Sequence, residues 1–111
     1  MHTVKIHAPA ELNFADPILH LWYPDLNLSP KEFEPEGTDD FGPVFNLSLK
    51  RNFFCFKFAD RAGGNRIWEK EERCYGQHLG PEVWTVVRNN EVYPVRPEKP
   101  VGSTAEFYAE I

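Results

Sequence analysis

The chain has 111 residues, of which 41% are hydrophobic and 26% are charged, a composition typical of one globular domain. Its 12 basic and 17 acidic residues give a net charge of −5, which argues against nucleic acid or an anionic membrane as the main partner, because phosphate binding requires a basic surface. No apolar run reaches the roughly 18 residues of a membrane-spanning helix, so we expect no transmembrane segment.

The N-terminal residues lack the charged region and apolar stretch of a signal peptide, which predicts a cytoplasmic protein. In that compartment Cys55 and Cys74 are expected to be reduced thiols, each acting as a small buried apolar residue. A single disulfide is the alternative if the chain is a secreted fragment whose leader was removed.

Apolar and polar residues alternate along most of the chain, which is the pattern of half-buried β-strands. The pattern predicts strands at residues 3–7, 18–23, 44–49, 53–58, 66–68, 82–87 and 91–95. The fourth strand is expected to be central, with Phe54, Phe56 and Phe58 facing the core. Asn89-Asn90 tolerates positive φ, so a tight hairpin is predicted between the last two strands.

Proline and glycine residues cluster between these strands, as they do in turns. About seven short strands joined by such turns predict an all-β fold, a small antiparallel β-sandwich of the immunoglobulin-like type. Residues 1–97 are expected to form this module. Residues 98–111 are predicted to be a linker or the start of a following domain, because Ser103 to Glu106 match a capping box. A frayed terminus is an equal alternative.

Signals of catalysis are missing from the sequence. It contains no Gly-x-Ser-x-Gly, no glycine-rich phosphate loop and no His-Glu-x-x-His motif, and its His and Cys residues lack metal-ligand spacing. Asp39 and Asp40 lie in a Gly-flanked turn, where Asp side chains typically accept hydrogen bonds from backbone N–H groups. We therefore predict no catalytic residue, metal or cofactor, and do not expect this chain to be an enzyme on its own.

Aromatic side chains are the more informative signal. If Leu19, Leu21 and Tyr23 face the core, His20 and Trp22 point outward side by side. An exposed indole beside a second ring can hold the apolar face of a sugar, although packing under a loop or a protein interface would use the same residues. Trp84 shares a side with Val86 and is predicted to be buried. Trp68 either closes a loop onto the core or forms a second wall for a ligand.

Several sequence blocks resemble those of one known family over residues 3–97. They are Val4-Lys5-Ile6-His7, Gly37-Thr38-Asp39-Asp40-Phe41-Gly42, the strand 53–58, Asn65-Arg66, Pro81-Glu82-Val83-Trp84-Thr85-Val86 and Glu91-Val92-Tyr93. This combination resembles carbohydrate-binding module family 41, the pullulanase-associated domain. The resemblance implies a β-sandwich that binds α-glucans without turning them over, attached to a catalytic domain of glycoside hydrolase family 13.

The resemblance also implies a binding site. The paired Trp residues of that family fall on His20 and Trp22, so one of the two rings is replaced by a smaller, titratable one. The polar contacts fall on Lys57, Asp60 and Asn65, and Trp68 is the candidate for a third aromatic ring. The implied partners are an α-glucan and a catalytic domain in the same polypeptide, with the module itself a monomer. The alternative function is a structural or protein-docking β-sandwich with a degenerate sugar site.

Overall fold

A computed structural model describes residues 1–98 of the chain. These residues form nine strands and two single-turn 3-10 helices, Ala10–Leu12 and Gln77–Leu79. The strands are β1 His2–His7, β2 Pro17–Trp22, β3 Lys31–Phe33, β4 Gly37–Thr38, β5 Pro43–Leu49, β6 Phe54–Asp60, β7 Ile67–Trp68, β8 Arg73–Tyr75 and β9 Glu82–Trp84. Neither of these helices is long or apolar enough to cross a membrane.

The strands form two sheets, which confirms the prediction of a small all-β sandwich. The first sheet has the order β4-β5-β1-β9, and the second has the order β3-β2-β6-β7, with β8 also paired to β6. Within residues 1–98 the pairings are antiparallel except that of β1 with β9, which is parallel. The parallel pair closes the first sheet by bringing the last strand beside the first.

The core lies between the inner faces of the two sheets. Alternate residues of each long strand contribute to it, as the sequence pattern predicts. From the first sheet come Val4, Ile6, Phe45, Leu47, Leu49 and Val83, and from the second come Leu19, Leu21, Phe54, Phe56, Phe58 and Tyr75. Phe45 of one sheet stacks on Phe58 of the other, with ring centroids 5.6 Å apart. The expected inward orientation of the three phenylalanines of β6 is confirmed.

The sequence prediction differs from the structure in the short elements. Strands β3, β4 and β8 have two or three residues each and were not predicted. The predicted strand 91–95 is reduced to a single bridge between Tyr93 and Trp84, so a longer loop closed by that bridge replaces the expected tight hairpin. The left-handed residue in that loop is Arg88, with φ of 64°, and not the Asn pair.

The prediction of two reduced cysteines is wrong, because Cys55 and Cys74 form a disulfide. They are directly opposed on the antiparallel strands β6 and β8, which places their sulfurs within bonding reach. Cys55 is buried, but Cys74 is exposed, so only one of them is the buried apolar residue that was expected. The alternative prediction, a single disulfide between the two cysteines, is the one that the structure shows.

The predicted burial of Trp84 in the core is also wrong. Val83 faces the core, and Trp84 therefore lies half-buried on the outer face of the first sheet. Its ring stacks on the ring of His7, with centroids 4.8 Å apart and an interplanar angle of 4°. The residue after it, Thr85, is fully buried, and its hydroxyl is satisfied there by a hydrogen bond that it donates to the His7 carbonyl.

The acidic turn is structural, as predicted. The Oδ1 atom of Asp39 accepts hydrogen bonds from the backbone N–H groups of Phe41 and Gly42. Burial acts to raise the pKa of Asp39, but these two hydrogen bonds outweigh it and lower the pKa overall. Asp40 forms a two-pronged ion pair with Arg96. The predicted linker or new domain at residues 98–111 lies, apart from residue 98, outside the described residues.

Candidate functional site

The outer face of the second sheet carries the aromatic side chains that the sequence singled out. Leu19 and Leu21 of β2 are fully buried in the core, so the alternation turns His20 and Trp22 to the opposite face. Both are half-buried there. Trp68 on β7 pairs with Ala59 of β6 and lies on the same face, with 42% of its surface exposed.

The three rings form one surface, which we call the aromatic platform (His20, Trp22 and Trp68). The His20 ring lies between the two indoles. Its centroid is 5.9 Å from that of Trp22 at an interplanar angle of 45°, and 5.1 Å from that of Trp68 at 90°. The rings are therefore inclined to one another, and the platform is curved and not flat.

Strand register places one polar side chain, Lys57, beside the platform, and Glu72 lies next to it. His20 is directly opposed to Lys57 of β6, and Trp22 is opposed to Cys55, one end of the disulfide. The Lys57 ammonium lies 5.8 Å from the centroid of the Trp68 ring and 3.8 Å from a carboxylate oxygen of Glu72. The disulfide ties β8 to β6 two residues after Glu72, so it holds this part of the face together.

An ion-pair network supports the platform from the β3 side. Glu32 is opposed to His20, and its carboxylate accepts a hydrogen bond from Nδ1 of His20 at 2.9 Å. The same carboxylate receives two hydrogen bonds from the guanidinium of Arg66. The Arg66 hydrogen bonds are the main reason that the pKa of Glu32 falls from 4.5 to about 2, and burial only partly offsets them.

Arg66 connects this network to the second indole. Its guanidinium carbon lies 5.7 Å from the centroid of Trp68, within the range of a cation–π contact. Glu32 therefore orients the His20 ring directly and the Trp68 ring through Arg66. Side chains fixed in this way lose less conformational freedom when a ligand binds.

A shallow cleft of about 350 Å³ opens above the platform. It is lined by the three platform residues together with Lys57 and Glu72. Three ring faces thus stand beside one hydrogen-bond donor and one acceptor that reach solvent. Such a cleft suits a ligand with apolar faces and polar edges, of a size that covers several rings.

Two of the predicted contact residues are not brought to the cleft. Asp60 is buried, and its carboxylate accepts hydrogen bonds from the backbone N–H groups of Ala15, Asp16 and Ala62. Hydrogen bonds to the backbone, those of Ala62 and Asp16 foremost, lower the pKa of Asp60, so this carboxylate holds two loops in place. Asn65 is exposed in the loop before β7 and is not among the residues that line the cleft.

Three residues of the site were missed by sequence reasoning, namely Glu32, Arg66 as a support of Trp68, and Glu72. Glu32 lies on a three-residue strand between Pro30 and Pro35, which is too short to show a period. Glu72 belongs to the charge run before β8. Apolar and polar residues do not alternate recognisably along β8, because Arg73 is buried at a position where an apolar residue is normal. The sequence pattern therefore gave no signal for Glu72.

Another cluster of titratable groups surrounds His7. Its Nε2 atom forms a 2.6 Å hydrogen bond with Glu82, and its Nδ1 atom lies 3.2 Å from a carboxylate oxygen of Asp39. The ring is nearly covered by Trp84 and by the edge of Phe41, so this cluster joins three chain segments and has no room for a substrate. Among residues 1–98, no group of three His, Cys, Asp or Glu side chains is arranged to hold a metal ion.

Comparison with known protein families finds no family model that matches this chain, and no curated protein is significantly similar to it.

Proposed function

We propose that this chain is a non-catalytic module that binds α-glucans such as starch, glycogen or maltooligosaccharides. The observation that carries the proposal is the inclined aromatic platform, in which His20 lies between Trp22 and Trp68. Flat β-1,4-linked chains favour coplanar rings, whereas the curve of an α-1,4-linked chain suits rings that tilt from one to the next. The sequence blocks that resemble carbohydrate-binding module family 41 support the same function.

In this proposal, one glucose ring lies with its apolar face on the exposed side of Trp22. The next ring contacts His20 and Trp68 at a different angle. Lys57 donates to sugar hydroxyls, and Glu72 accepts from them, with bridging water molecules completing contacts that are too long to be direct. A site with so few contacts binds with micromolar to millimolar affinity, or about 4–8 kcal/mol.

A binding site of this affinity is effective when the module is attached to a catalytic domain. Tethered to an enzyme of glycoside hydrolase family 13, the module would raise the local concentration of glucan at the catalytic site. From the sequence we expected a cytoplasmic location. The Cys55–Cys74 disulfide instead favours an oxidising compartment, where such bonds persist.

The test is affinity electrophoresis in gels containing glycogen, with titration of tryptophan fluorescence by maltooligosaccharides. Trp22→Ala is expected to abolish retardation in the gel while the protein remains folded by circular dichroism. Trp84→Ala is the matched control, because Trp84 is also half-buried on an outer face but belongs to the other sheet.

Two results would contradict the proposal. One is wild-type protein whose mobility is unchanged by glycogen and whose fluorescence is unchanged by millimolar maltooligosaccharide, as the alternative of a protein-docking sandwich predicts. The other is Trp22→Ala protein that is retarded as strongly as the wild type. Retardation in gels containing a soluble β-1,4-glucan in place of glycogen would show that the curvature argument is mistaken.

A further inference from the structure

A second cleft adjoins the aromatic platform and is different in character. It has a volume of about 540 Å³ and is lined by Lys70, Glu71, Glu72, Arg88, Asn89 and Asn90. Glu72 lines both clefts, so the two meet at this side chain, with the rings on one side of it and the loop after β9 on the other. The platform offers ring faces, whereas this polar cleft offers charged and amide side chains.

The wall of the polar cleft is held in shape by its own contacts. Arg88 has φ of 64°, a left-handed conformation that a side chain other than glycine seldom adopts. Asn89 donates a hydrogen bond to the hydroxyl of Tyr93 and accepts one from the backbone N–H of Glu91. Tyr93 in turn is bridged to Trp84 on β9. The loop is thus anchored to the first sheet while its polar side chains border the second.

The chemistry of the lining selects among ligands. Two basic residues, two acidic residues and two amides contribute no net charge, which disfavours an anion such as a phosphate or an acidic peptide. The same residues supply many donors and acceptors at close spacing, which matches an uncharged ligand rich in hydroxyl groups. Such a ligand is already proposed for the adjoining platform.

We infer that the polar cleft is an additional subsite that binds a further sugar unit of a glucan whose first units lie on the platform. This inference rests on the proposed function and extends it, because it makes the module selective for chain length. A short oligosaccharide occupies the platform alone, whereas a longer one also reaches Lys70 and Asn90. Both side chains are exposed at the cleft and are therefore available to sugar hydroxyls.

The test compares maltotriose with maltoheptaose by isothermal titration calorimetry on the full 111-residue chain. The double variant Lys70→Ala/Asn90→Ala is expected to weaken maltoheptaose binding by roughly threefold to tenfold, the loss of one or two hydrogen bonds. Maltotriose binding is expected to be unchanged. The matched control is Lys50→Ala/Asn27→Ala, which removes the same exposed residue types away from both clefts and is expected to alter neither affinity.

A longer oligosaccharide can bind any site in more registers, so tighter binding of maltoheptaose than of maltotriose by the wild type does not by itself show a second subsite. The affinities of the variants are the decisive measurement. Equal maltoheptaose affinity in the wild type and Lys70→Ala/Asn90→Ala would overturn the inference, as would an equal loss for both sugars. Failure of the proposed function has a different signature, because maltotriose would then either not bind the wild type or bind Trp22→Ala equally well.

Discussion

The disulfide gives the most direct quantitative test of the structure. Cys55 and Cys74 are separated by 19 positions, so the bond closes a loop of about that length in the unfolded chain. Loop-closure entropy for such a loop corresponds to about 3 kcal/mol of stabilisation at 25 °C. Domains of this length have a total free energy of unfolding of about 6–17 kcal/mol, so the bond supplies a substantial fraction. A loss of 3 kcal/mol lowers the melting temperature by about 12 °C.

The assay is thermal unfolding followed by circular dichroism on three samples, namely oxidised wild type, wild type reduced with dithiothreitol, and Cys55→Ala/Cys74→Ala. Reduced wild type retains both sulfur atoms, so its melting temperature reports the cross-link alone. The double variant is expected to melt near the reduced protein and slightly lower, because alanine at position 55 leaves a small void in a buried position. Titration of free thiols in guanidinium gives the redox state before each scan.

The reasoning is refuted if oxidised and reduced wild type melt within about 2 °C of each other. It is equally refuted if protein purified under oxidising conditions titrates with two free thiols, because the strand pairing of β6 with β8 then does not bring the sulfurs together. The second result would also remove the support for an oxidising compartment.

Three further predictions concern side chains in different settings. Glu69→Ala leaves the fully buried Arg73 without its counter-charge and is expected to lower the free energy of unfolding in urea by about 3–5 kcal/mol; a loss under 1 kcal/mol would contradict the buried pair. Trp84→Ala removes a half-buried stacking contact with His7, so we expect a loss of about 1–2 kcal/mol in the same assay and unchanged glycogen retardation. A core position would cost about 3–5 kcal/mol. Glu32→Gln weakens the bonds to His20 and Arg66 and is expected to reduce maltotriose affinity by about twofold to fivefold, with less than about 1 kcal/mol lost in stability. Because folding lowers the pKa of Glu32, this stability difference from the wild type is expected to be constant above pH 4.5 and to disappear as the pH falls below that value and the carboxylate is protonated. A difference that persists in full at pH 2 would contradict the Arg66 pairing.

The long strands were predictable because each has one face in the core. In β2 and β6 the large side chains of the core recur at every second position, at Leu19 and Leu21 and at Phe54, Phe56 and Phe58, and burial of large apolar side chains dominates the energetics of such strands. The short strands could not be predicted, because two or three residues do not define a period. Strand β8 is also hard to recognise from its pattern, because Arg73 is buried where the pattern requires an apolar residue. Hydrogen bonds to Glu69 and to the Val86 carbonyl stabilise Arg73 there.

The errors over the cysteines and Trp84 follow from those short strands. Pairing of Cys55 with Cys74 depends on β8 lying beside β6, so a sequence reading without β8 has no reason to oppose the two residues. Trp84 was assigned to the side of Val86 by extending one alternation from residue 82 to 87. The strand ends at Trp84, and the buried polar residue Thr85 follows it. Extending the alternation past the end of the strand therefore assigned Trp84 to the core face when it lies on the outer face.

The aromatic platform could be predicted only in part from the alternation within one strand. The outward orientation of His20 and Trp22 needed only one strand and its period, whereas the contact with Lys57 needed the register of β2 against β6. The same alternation also argues against Asp60 as a contact on the outer face. Alternation that turns Phe56 and Phe58 inward turns residue 60 inward as well, away from the outer face that Lys57 occupies. The family resemblance, and not the period, suggested Asp60 as a sugar contact, and the backbone hydrogen bonds of its carboxylate agree with the period.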